Sequence, residues 1–244
     1  MENNTIIDIK NLSKTFGNNQ VLKNVNITAT KGESIVIIGK SGSGKSVTIK
    51  CLVGLVRADG GNIKVFDKEI TNLSENELDP IRVKIGFMFQ NGALYDSMSV
   101  RQNLAFTVKH HSKNLAENEV QSKILEALEN VGLAESIDKM PADLSGGMRK
   151  RIALARTLII NPEIMLYDEP TSGLDTITAR EISELILSVQ KKYGTTSIII
   201  THDMACAKMT ANRIMILKDG AINAEGSYEQ LENSTNEWVK SFFI

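Results

Sequence analysis

The sequence feature that most constrains the fold is the octapeptide GKSGSGKS at residues 39–46, which lies between the apolar run SIVII and the helical segment VTIKCLVGL. It fits the pattern G-x-x-x-x-G-K-[ST] in the strand, loop and helix order that a phosphate-binding loop requires. Its glycines permit backbone torsions and close approaches that a Cβ would block, so that successive N–H groups can converge on a phosphate. A glycine-rich turn that happens to precede a helix is the alternative, which the complete octapeptide disfavours. The sequence therefore predicts binding of a nucleoside triphosphate.

Individual residues of this loop have separate predicted tasks. Lys45 supplies a mobile positive charge for the β- and γ-phosphate oxygens, and the Ser46 hydroxyl is suited to coordinate Mg²⁺. The positive end of the following helix adds ~0.3 to 1 kcal/mol to anion binding. The residues that we expect to contact the nucleotide are Gly39, Lys40, Ser41, Gly42, Ser43, Gly44, Lys45, Ser46 and Val47.

Apolar runs and helical periods alternate along the chain. The apolar, β-branched runs lie at residues 6–9, 34–39, 85–89, 163–168, 196–201 and 213–217. Because polar residues do not alternate within them, they predict strands buried on both faces, as in a parallel sheet covered by helices. Helical periods lie between them at residues 45–55, 117–131, 145–160 and 176–192. This alternation predicts an α/β fold around a phosphate-loop core.

Two further regions complete the predicted architecture. Residues 1–30 and 61–70 show shorter alternating strands with turn residues between them, which predicts a small antiparallel sheet beside the parallel one. Residues 98–160 are almost wholly helical in pattern and predict a helical lobe. A length of 244 residues is close to the limit for one core, so we expect a single domain over residues 1–244, with a helical subdomain at approximately 91–160.

The composition excludes several classes of protein. Twenty-eight Lys and Arg against 29 Asp and Glu give a net charge of −1, so we expect no nucleic-acid partner. No stretch approaches the ~18 to 20 apolar residues of a membrane-spanning helix, and the N-terminal MENNTIIDIK lacks a signal-peptide pattern. We therefore expect a cytoplasmic chain. Cys51 and Cys206 have no metal-ligand spacing and are expected to be buried, reduced thiols.

Two more segments carry groups suited to phosphate chemistry. Asp168 and Glu169 follow a buried strand, where one acid can reach Mg²⁺ and the other can polarise an attacking water. Structural acids at strand ends are common, so this pair gains weight only from the phosphate loop. The run LSGGM places Ser145, Gly146 and Gly147 where a basic helix begins, which predicts a second anion site. A simple serine N-cap is the alternative for this run.

Together these segments resemble the ATP-binding-cassette (ABC) family over nearly the whole chain. GKSGSGKS resembles its Walker A motif, IMLYDE its Walker B motif and LSGGM its signature motif. By the same resemblance, Gln90 in FMFQNG is the Q-loop glutamine, and Asp175 in SGLD belongs to the D-loop. His202 in ITHD is similar to the switch histidine, and Phe16 in KTFG to the aromatic residue that stacks on adenine.

The resemblance implies ATP and Mg²⁺ as cofactors and a role for each site residue. Glu169 is then the general base, Asp168 helps Ser46 to hold the metal, and Gln90 contacts both metal and attacking water. His202 contacts the γ-phosphate; a lone histidine after a strand is usually an ordinary surface or cap residue, and here its order after Asp168 and Glu169 favours the functional role. The resemblance also implies a head-to-tail homodimer, in which the signature loop of one subunit closes over ATP bound to the other. Such a dimer accounts for two anion sites in one chain.

Departures from the common motifs indicate a branch of the family. Met148 replaces the usual signature glutamine, the basic run RKR follows it, and GALYDSMSV lies at residues 92–100. This combination resembles the ATPase of Mla-type systems, which move phospholipid between the inner and outer membranes and maintain outer-membrane lipid asymmetry. It implies a polytopic permease, an Mce-type lipid-binding protein and a small regulatory subunit as partners. The expected location is the cytoplasmic face of the bacterial inner membrane.

Two other functions remain open at this point. One is an ATPase of an importer for amino acids or other small solutes, which shares every motif above. The other is an ATP-gated clamp on nucleic acid or the ribosome. Such clamps usually have two cassettes in one chain, a long coiled-coil insertion or a basic surface, and this sequence has none of these features.

Two apolar groups have an ambiguous role in the sequence. The first could receive a short helix of the permease or form the core of the helical lobe, and its members are Phe87, Phe89, Leu94, Tyr95, Met98, Val100 and Leu104. The second lies in a predicted pair of terminal helices at residues 227–244, where Trp238, Phe242 and Phe243 could pack on the domain or contact a partner.

Overall fold

The computed structural model describes residues 4–112 and 114–243. Its strands are β1 (Thr5–Phe16), β2 (Asn19–Thr30), β3 (Ser34–Ile38), β4 (Gly60–Val65), β5 (Lys68–Glu69), β6 (Ile85–Met88), β7 (Ile164–Asp168), β8 (Thr196–Ile200), β9 (Arg213–Lys218) and β10 (Ala221–Gly226). Its α-helices are α1 (Lys45–Leu52), α2 (Glu75–Arg82), α3 (Val100–His111), α4 (Glu117–Glu129), α5 (Gly146–Leu158), α6 (Thr176–Tyr193), α7 (Met204–Thr210), α8 (Tyr228–Glu232) and α9 (Glu237–Lys240).

The central layer is a six-stranded sheet in the order β10-β9-β3-β8-β7-β6. All neighbouring strands in it are parallel except the edge pair β9 and β10. Every residue of β3, β7 and β8 is buried, which explains why their sequences are apolar without alternation. The predicted parallel sheet is confirmed, and the carboxyl ends of its strands meet at one edge, where ligands of such sheets bind.

A second sheet is antiparallel, with the strand order β2-β1-β4-β5, and confirms the predicted flanking sheet. The apolar run at residues 6–9 belongs to this sheet and not to the parallel one, since Ile7 lies opposite Val65 and Ile9 opposite Ile63 in β4. Its isoleucines are nevertheless buried, because the two sheets share one apolar core. The isoleucines of residues 6–9 therefore contact this shared core, and for that reason the sequence of this run resembles a strand of the parallel sheet.

The helices α3, α4 and α5 pack around an apolar core of their own. A 3₁₀ turn over residues 141–143 separates α5 from the preceding helices. Helix α2, by contrast, was not predicted, because its eight residues are mostly polar and include Pro80. The terminal helices α8 and α9 are short, and Trp238, Phe242 and Phe243 pack against the core beneath them. Ile244 lies outside the described residues. Within residues 4–112 and 114–243, no helix has the length and apolar character needed to span a membrane.

Candidate active site

The phosphate loop connects β3 to α1 and has room only for glycine at two positions. Gly39 has a φ of +157°, and a Cβ there would collide with the carbonyl oxygen of Leu217. Gly44, at the N-cap of α1, has a φ of +103°, and its Cβ would come within 2.7 Å of Leu22 Cδ2. Leu217 and Leu22 thus pack against the outer side of the loop, and the loop lines the cavity on its other side.

Lys45 places its ammonium group inside this loop. Its Nζ donates to the carbonyl oxygens of Gly39 at 2.9 Å and Lys40 at 3.1 Å. Burial lowers the pKa of Lys45, while the negative charges of Glu169 and Asp168 act in the opposite direction. The cation is therefore held close to the position where the loop can bind phosphate oxygens.

Ser46 and Asp168 connect the phosphate loop to the end of β7. The Ser46 hydroxyl donates to Asp168 Oδ1 at 2.6 Å, and Asp168 is almost fully buried. A hydroxyl and a carboxylate are the oxygen ligands that Mg²⁺ favours. The nearby Ser43 Oγ is buried with no hydrogen-bond partner among the described residues, which fits a loop that uses its polar atoms for a ligand. These residues therefore fit a nucleotide with Mg²⁺.

Glu169 follows Asp168 with an unusual backbone conformation. Its φ is +51°, in the left-handed region that residues with a Cβ rarely adopt, and its N–H donates to the Ile200 carbonyl at 2.8 Å. Its Oε2 lies 2.8 Å from His202 Nδ1 and accepts the backbone N–H of His202 at 3.3 Å. The glutamate side chain is 13% exposed and the histidine side chain 71% exposed. The local backbone thus orients the carboxylate, and the imidazole is free to turn towards a ligand.

These groups surround one cavity of about 540 Å³ at the carboxyl edge of the parallel sheet. Its lining consists of Val21, Gly39, Lys40, Ser41, Gly42, Gly44, Lys45, Ser46, Val47, Gln90, Glu169 and His202. The structure therefore brings together five segments of the chain. They are β2, the phosphate loop, the segment after β6, the end of β7 and the end of β8.

Other predicted site residues lie outside this lining. Phe16, at the end of β1, is 47% exposed and carries Lys14 Nζ 5.2 Å from its ring centre. Ser145 caps α5 by accepting the Met148 N–H at 3.2 Å, as the N-cap alternative expected. Asp175 caps α6 and accepts the N–H groups of Ile177 and Thr178. Gly146 and Gly147 pack against the start of α6, where a Cβ on Gly147 would approach Thr178 Cγ2 to 2.5 Å.

Comparisons with known proteins identify the family. Residues 22–172 match the family described as ABC transporter. The methionine import ATP-binding protein MetN of Campylobacter jejuni is 37% identical over 97% of this chain and 75% of its own length. The chain belongs to the ABC transporter family. The probable ribonucleotide transport ATP-binding protein mkl of Mycobacterium leprae is another relative, 37% identical over 97% of this chain and 68% of its own length.

Solved structures of ABC cassettes share the fold. A dimeric ATP-binding cassette in a post-hydrolysis state, bound to ADP and Pi, superposes with a TM-score of 0.84 at 32% identity, over 91% of this chain and 98% of that one. The cbiO1 protein of Clostridium perfringens, part of the transporter complex cbiONQ, gives 0.84 at 27% identity, over 99% of this chain and 100% of that one. The chain is thus an ATP-hydrolysing ABC transporter subunit with ATP and Mg²⁺ as cofactors. Subunits of this kind work as dimers on membrane permease subunits.

One polar residue at the site of this ABC subunit was not predicted as a site residue. Lys150, in the basic run after the signature motif, is 6% exposed, and its Nζ donates to the carbonyl oxygens of Gln90 and Glu169. The sequence signal was a lysine on the otherwise small and apolar face of α5. Its partners lie about 20 and 60 residues away in the chain, so the sequence alone did not reveal them.

Proposed function

We propose that Glu169 is the general base of ATP hydrolysis, with Asp168 and Ser46 as ligands of Mg²⁺. The convergence of the phosphate loop, Glu169, Gln90 and His202 on one cavity carries this proposal. The metal ion, when bound, neutralises charge on the phosphate oxygens. Lys45 binds the β- and γ-phosphates, Gln90 orients the attacking water and contacts the metal, and His202 contacts the γ-phosphate.

The test of the base is Glu169→Gln, which keeps the shape of the side chain and removes its basicity. General bases contribute typically ~10² to 10⁴-fold, so we expect turnover to fall by at least 100-fold while ATP still binds. The matched control is Glu163→Gln at the opposite end of β7, where the carboxylate pairs with Lys84 on the surface. It should retain wild-type turnover. Wild-type hydrolysis by Glu169→Gln would refute the assignment.

The residues outside the cavity lining receive roles in the dimer. We propose that Ser145, Gly146 and Gly147 of one subunit close over the nucleotide of the other, with Asp175 at the same interface. Phe16 stacks on adenine in this proposal. We further propose that residues 1–244 form one ATP-binding domain, in which residues 91–160 are the helical subdomain. The separate apolar core of α3, α4 and α5 supports that boundary.

We propose that the permease docks beside the helical lobe, on a cavity of about 310 Å³ that includes Phe89, Tyr95 and Phe106. Tyr95 and Phe106 are each 46% exposed and pack edge to face at 5.2 Å. Val100 and Leu104 are instead fully buried in the lobe. The docking test is Tyr95→Asp, which should abolish copurification of the permease, with Leu125→Asp on α4 as an exposed apolar control.

For the cargo, we propose import of an amino acid or another small solute. The support is the MetN relative of Campylobacter jejuni, which is named for methionine import, and a second MetN from Clostridioides difficile with 38% identity over 93% of this chain. Phospholipid transport with an Mce-type protein and a small regulatory subunit is the second candidate. It rests on residues 92–100 and on Met148 with its basic run, and the comparisons favour it less.

Purification from detergent-solubilised membranes separates the two cargo proposals. The chain is expressed with its neighbouring genes, captured by a tag, and its associated proteins and lipids are identified by mass spectrometry. A permease with a solute receptor and no bound lipid supports the importer. A permease with an Mce-type protein that carries phospholipid supports lipid transport. Either complex would support attachment to the cytoplasmic face of the bacterial inner membrane.

A further inference from the structure

Lys150 connects three segments of the active site through one buried ammonium group. Its Nζ donates to the carbonyl oxygen of Gln90 after β6, to the carbonyl oxygen of Glu169 at 3.1 Å, and to Ser172 Oγ at 3.5 Å. An ammonium group has three N–H donors and no acceptor, so these three acceptors match its capacity. No other type of side chain supplies three donors from a single atom.

Burying the Lys150 ammonium group costs free energy unless the groups around it accept its hydrogen bonds. Lysine is rarely buried to this extent, and burial lowers the pKa of Lys150, against the opposing effect of the charges on Glu169 and Asp168. Neighbouring buried positions on α5 are Ile152, Ala153 and Leu154, so an apolar side chain would suit packing alone. The hydrogen bonds to the site therefore explain the lysine better than packing does.

The peptide that Lys150 holds after Glu169 controls where the glutamate side chain points. Glu169 has a left-handed backbone, and its carbonyl oxygen accepts from Lys150 Nζ and, at 2.9 Å, from Ser172 Oγ. Its N–H is bound to the Ile200 carbonyl on the neighbouring strand. Because hydrogen bonds hold both the N–H and the carbonyl of Glu169, its carboxylate projects into the cavity. The same ammonium fixes the peptide of Gln90 on the other side.

We infer that Lys150 is a positioning residue that holds the backbones of Gln90 and Glu169 in the arrangement required for hydrolysis. The inference rests on the proposed roles of those two residues. Lys150 does not line the phosphate-loop cavity, so it acts through the peptides and does not bind nucleotide. Its removal should therefore slow turnover more than it weakens ATP binding.

The first test compares Lys150→Met, which keeps the length of the side chain without its donors, with Lys150→Arg, which keeps donors and charge. Small misplacements of catalytic groups cost ~10²-fold, so we expect the methionine variant to lose about 10 to 100-fold in kcat. The dissociation constant for ATP should stay within about threefold. Lys150→Arg should recover part of the lost kcat.

Arg151 provides the matched control on the next position of α5. Its guanidinium pairs with Glu181 at 2.7 Å and donates to the Val131 carbonyl, away from the cavity. Arg151→Met should therefore keep the wild-type kcat. A wild-type kcat in folded Lys150→Met would overturn the inference, as would equal losses of kcat and ATP affinity. If the methionine variant does not fold, Lys150→Gln replaces it, since its neutral amide keeps only two donors, and the same two outcomes decide.

A double variant separates positioning from general weakening of the structure. If Lys150 acts through Glu169, adding Lys150→Met to Glu169→Gln should lower the single-turnover rate by much less than it does in the wild type. Equal factors in both backgrounds would contradict action through Glu169. Wild-type hydrolysis by Glu169→Gln alone would instead refute the proposed base. The two proposals thus fail on different measurements.

Discussion

At the scale of single residues, the site depends on atoms whose partners are backbone groups or other site residues. Ser46 and Asp168 bind each other, and Glu169 binds His202. Such pairs hold each group within hydrogen-bond reach of its neighbour and orient the side chains of the site. Each pair therefore predicts a consequence for a single substitution.

Ser46→Ala removes the hydroxyl that joins the phosphate loop to Asp168 and that we propose as a metal ligand. We expect the Mg²⁺ concentration for half-maximal ATP hydrolysis to rise by about tenfold or more, comparable with the loss of a group that supports a metal site. Ser46→Thr keeps the hydroxyl and is the matched control, with an unchanged Mg²⁺ requirement. An unchanged Mg²⁺ titration for the alanine variant would remove Ser46 from the metal site.

The two cysteines should be inert in the folded protein. Burial raises the pKa of both Cys51 and Cys206 from 9.0 to about 11, and the thiolate is the reactive form. At pH 8 we expect a thiol reagent such as Ellman's reagent to label neither residue in the native state and both in guanidinium chloride. Rapid labelling of the native protein would show that these side chains are accessible.

The same shifts predict a pH dependence of stability. Because the pKa of each thiol is higher in the folded state, the folded chain keeps protons that the unfolded chain loses between about pH 9 and pH 11. The free energy of unfolding should therefore fall as pH rises through this window, and the full contribution is present below pH 9. Replacing both residues by serine should reduce this part of the pH dependence in urea-unfolding experiments.

At the scale of elements, the strands and helices that could be predicted from the sequence are the ones with the most buried residues. Strands β3, β7 and β8 are apolar at nearly every position because both faces are covered, and their sequences showed it. Helix α2 was missed because it is polar with only Leu78 and Ile81 buried. The contacts of Lys150 were also missed, since local patterns carry no information about which distant carbonyl a buried donor will meet. Lys150 belongs to none of the motifs, so motif order gave no signal for it either.

Helix α3 shapes the loop that precedes it through the buried side chain of Asn103. Its Oδ1 accepts the Tyr95 N–H at 2.8 Å, and its Nδ2 donates to the carbonyl oxygens of Tyr95, Met98 and Ser99 at 2.9 to 3.1 Å. Asn103→Ala would remove the partner of the Tyr95 N–H and of the Met98 carbonyl, while the carbonyls of Tyr95 and Ser99 keep backbone donors, and the loss should cost about 2 to 4 kcal/mol in the free energy of unfolding. Urea unfolding measures this change.

The control for that loss is Asn233→Ala, an exposed asparagine at the end of α8 whose side chain bonds only the Glu229 carbonyl in the described part of the chain. It should change the free energy of unfolding by less than about 0.5 kcal/mol. A cost for Asn103→Ala as small as that of the control would mean that water readily replaces its hydrogen bonds. The loop at residues 95–99 would then be less fixed than its contacts indicate.

At the scale of the whole molecule, most of the predicted site residues line the phosphate-loop cavity, and a smaller group around Ser145 and Asp175 lies outside that lining. The signature loop and the start of α6 pack on each other through Gly147 and Thr178, away from the phosphate loop. Beside them, Ile177 is 75% exposed, the highest value among the large apolar side chains of the described residues. A head-to-tail dimer would cover this surface.

We therefore expect dimer formation to depend on Ile177. In Glu169→Gln with ATP, light scattering should show a dimer, and adding Ile177→Glu should weaken it by at least about tenfold in Kd, because burying an unpaired charge costs more than ~1.4 kcal/mol. The control is Leu55→Glu, 53% exposed and beyond the end of α1 that is remote from the phosphate loop. Its dimer should be as stable as that of the parent. If both substitutions weaken the dimer equally, or neither does, the surface around Ile177 is not the interface.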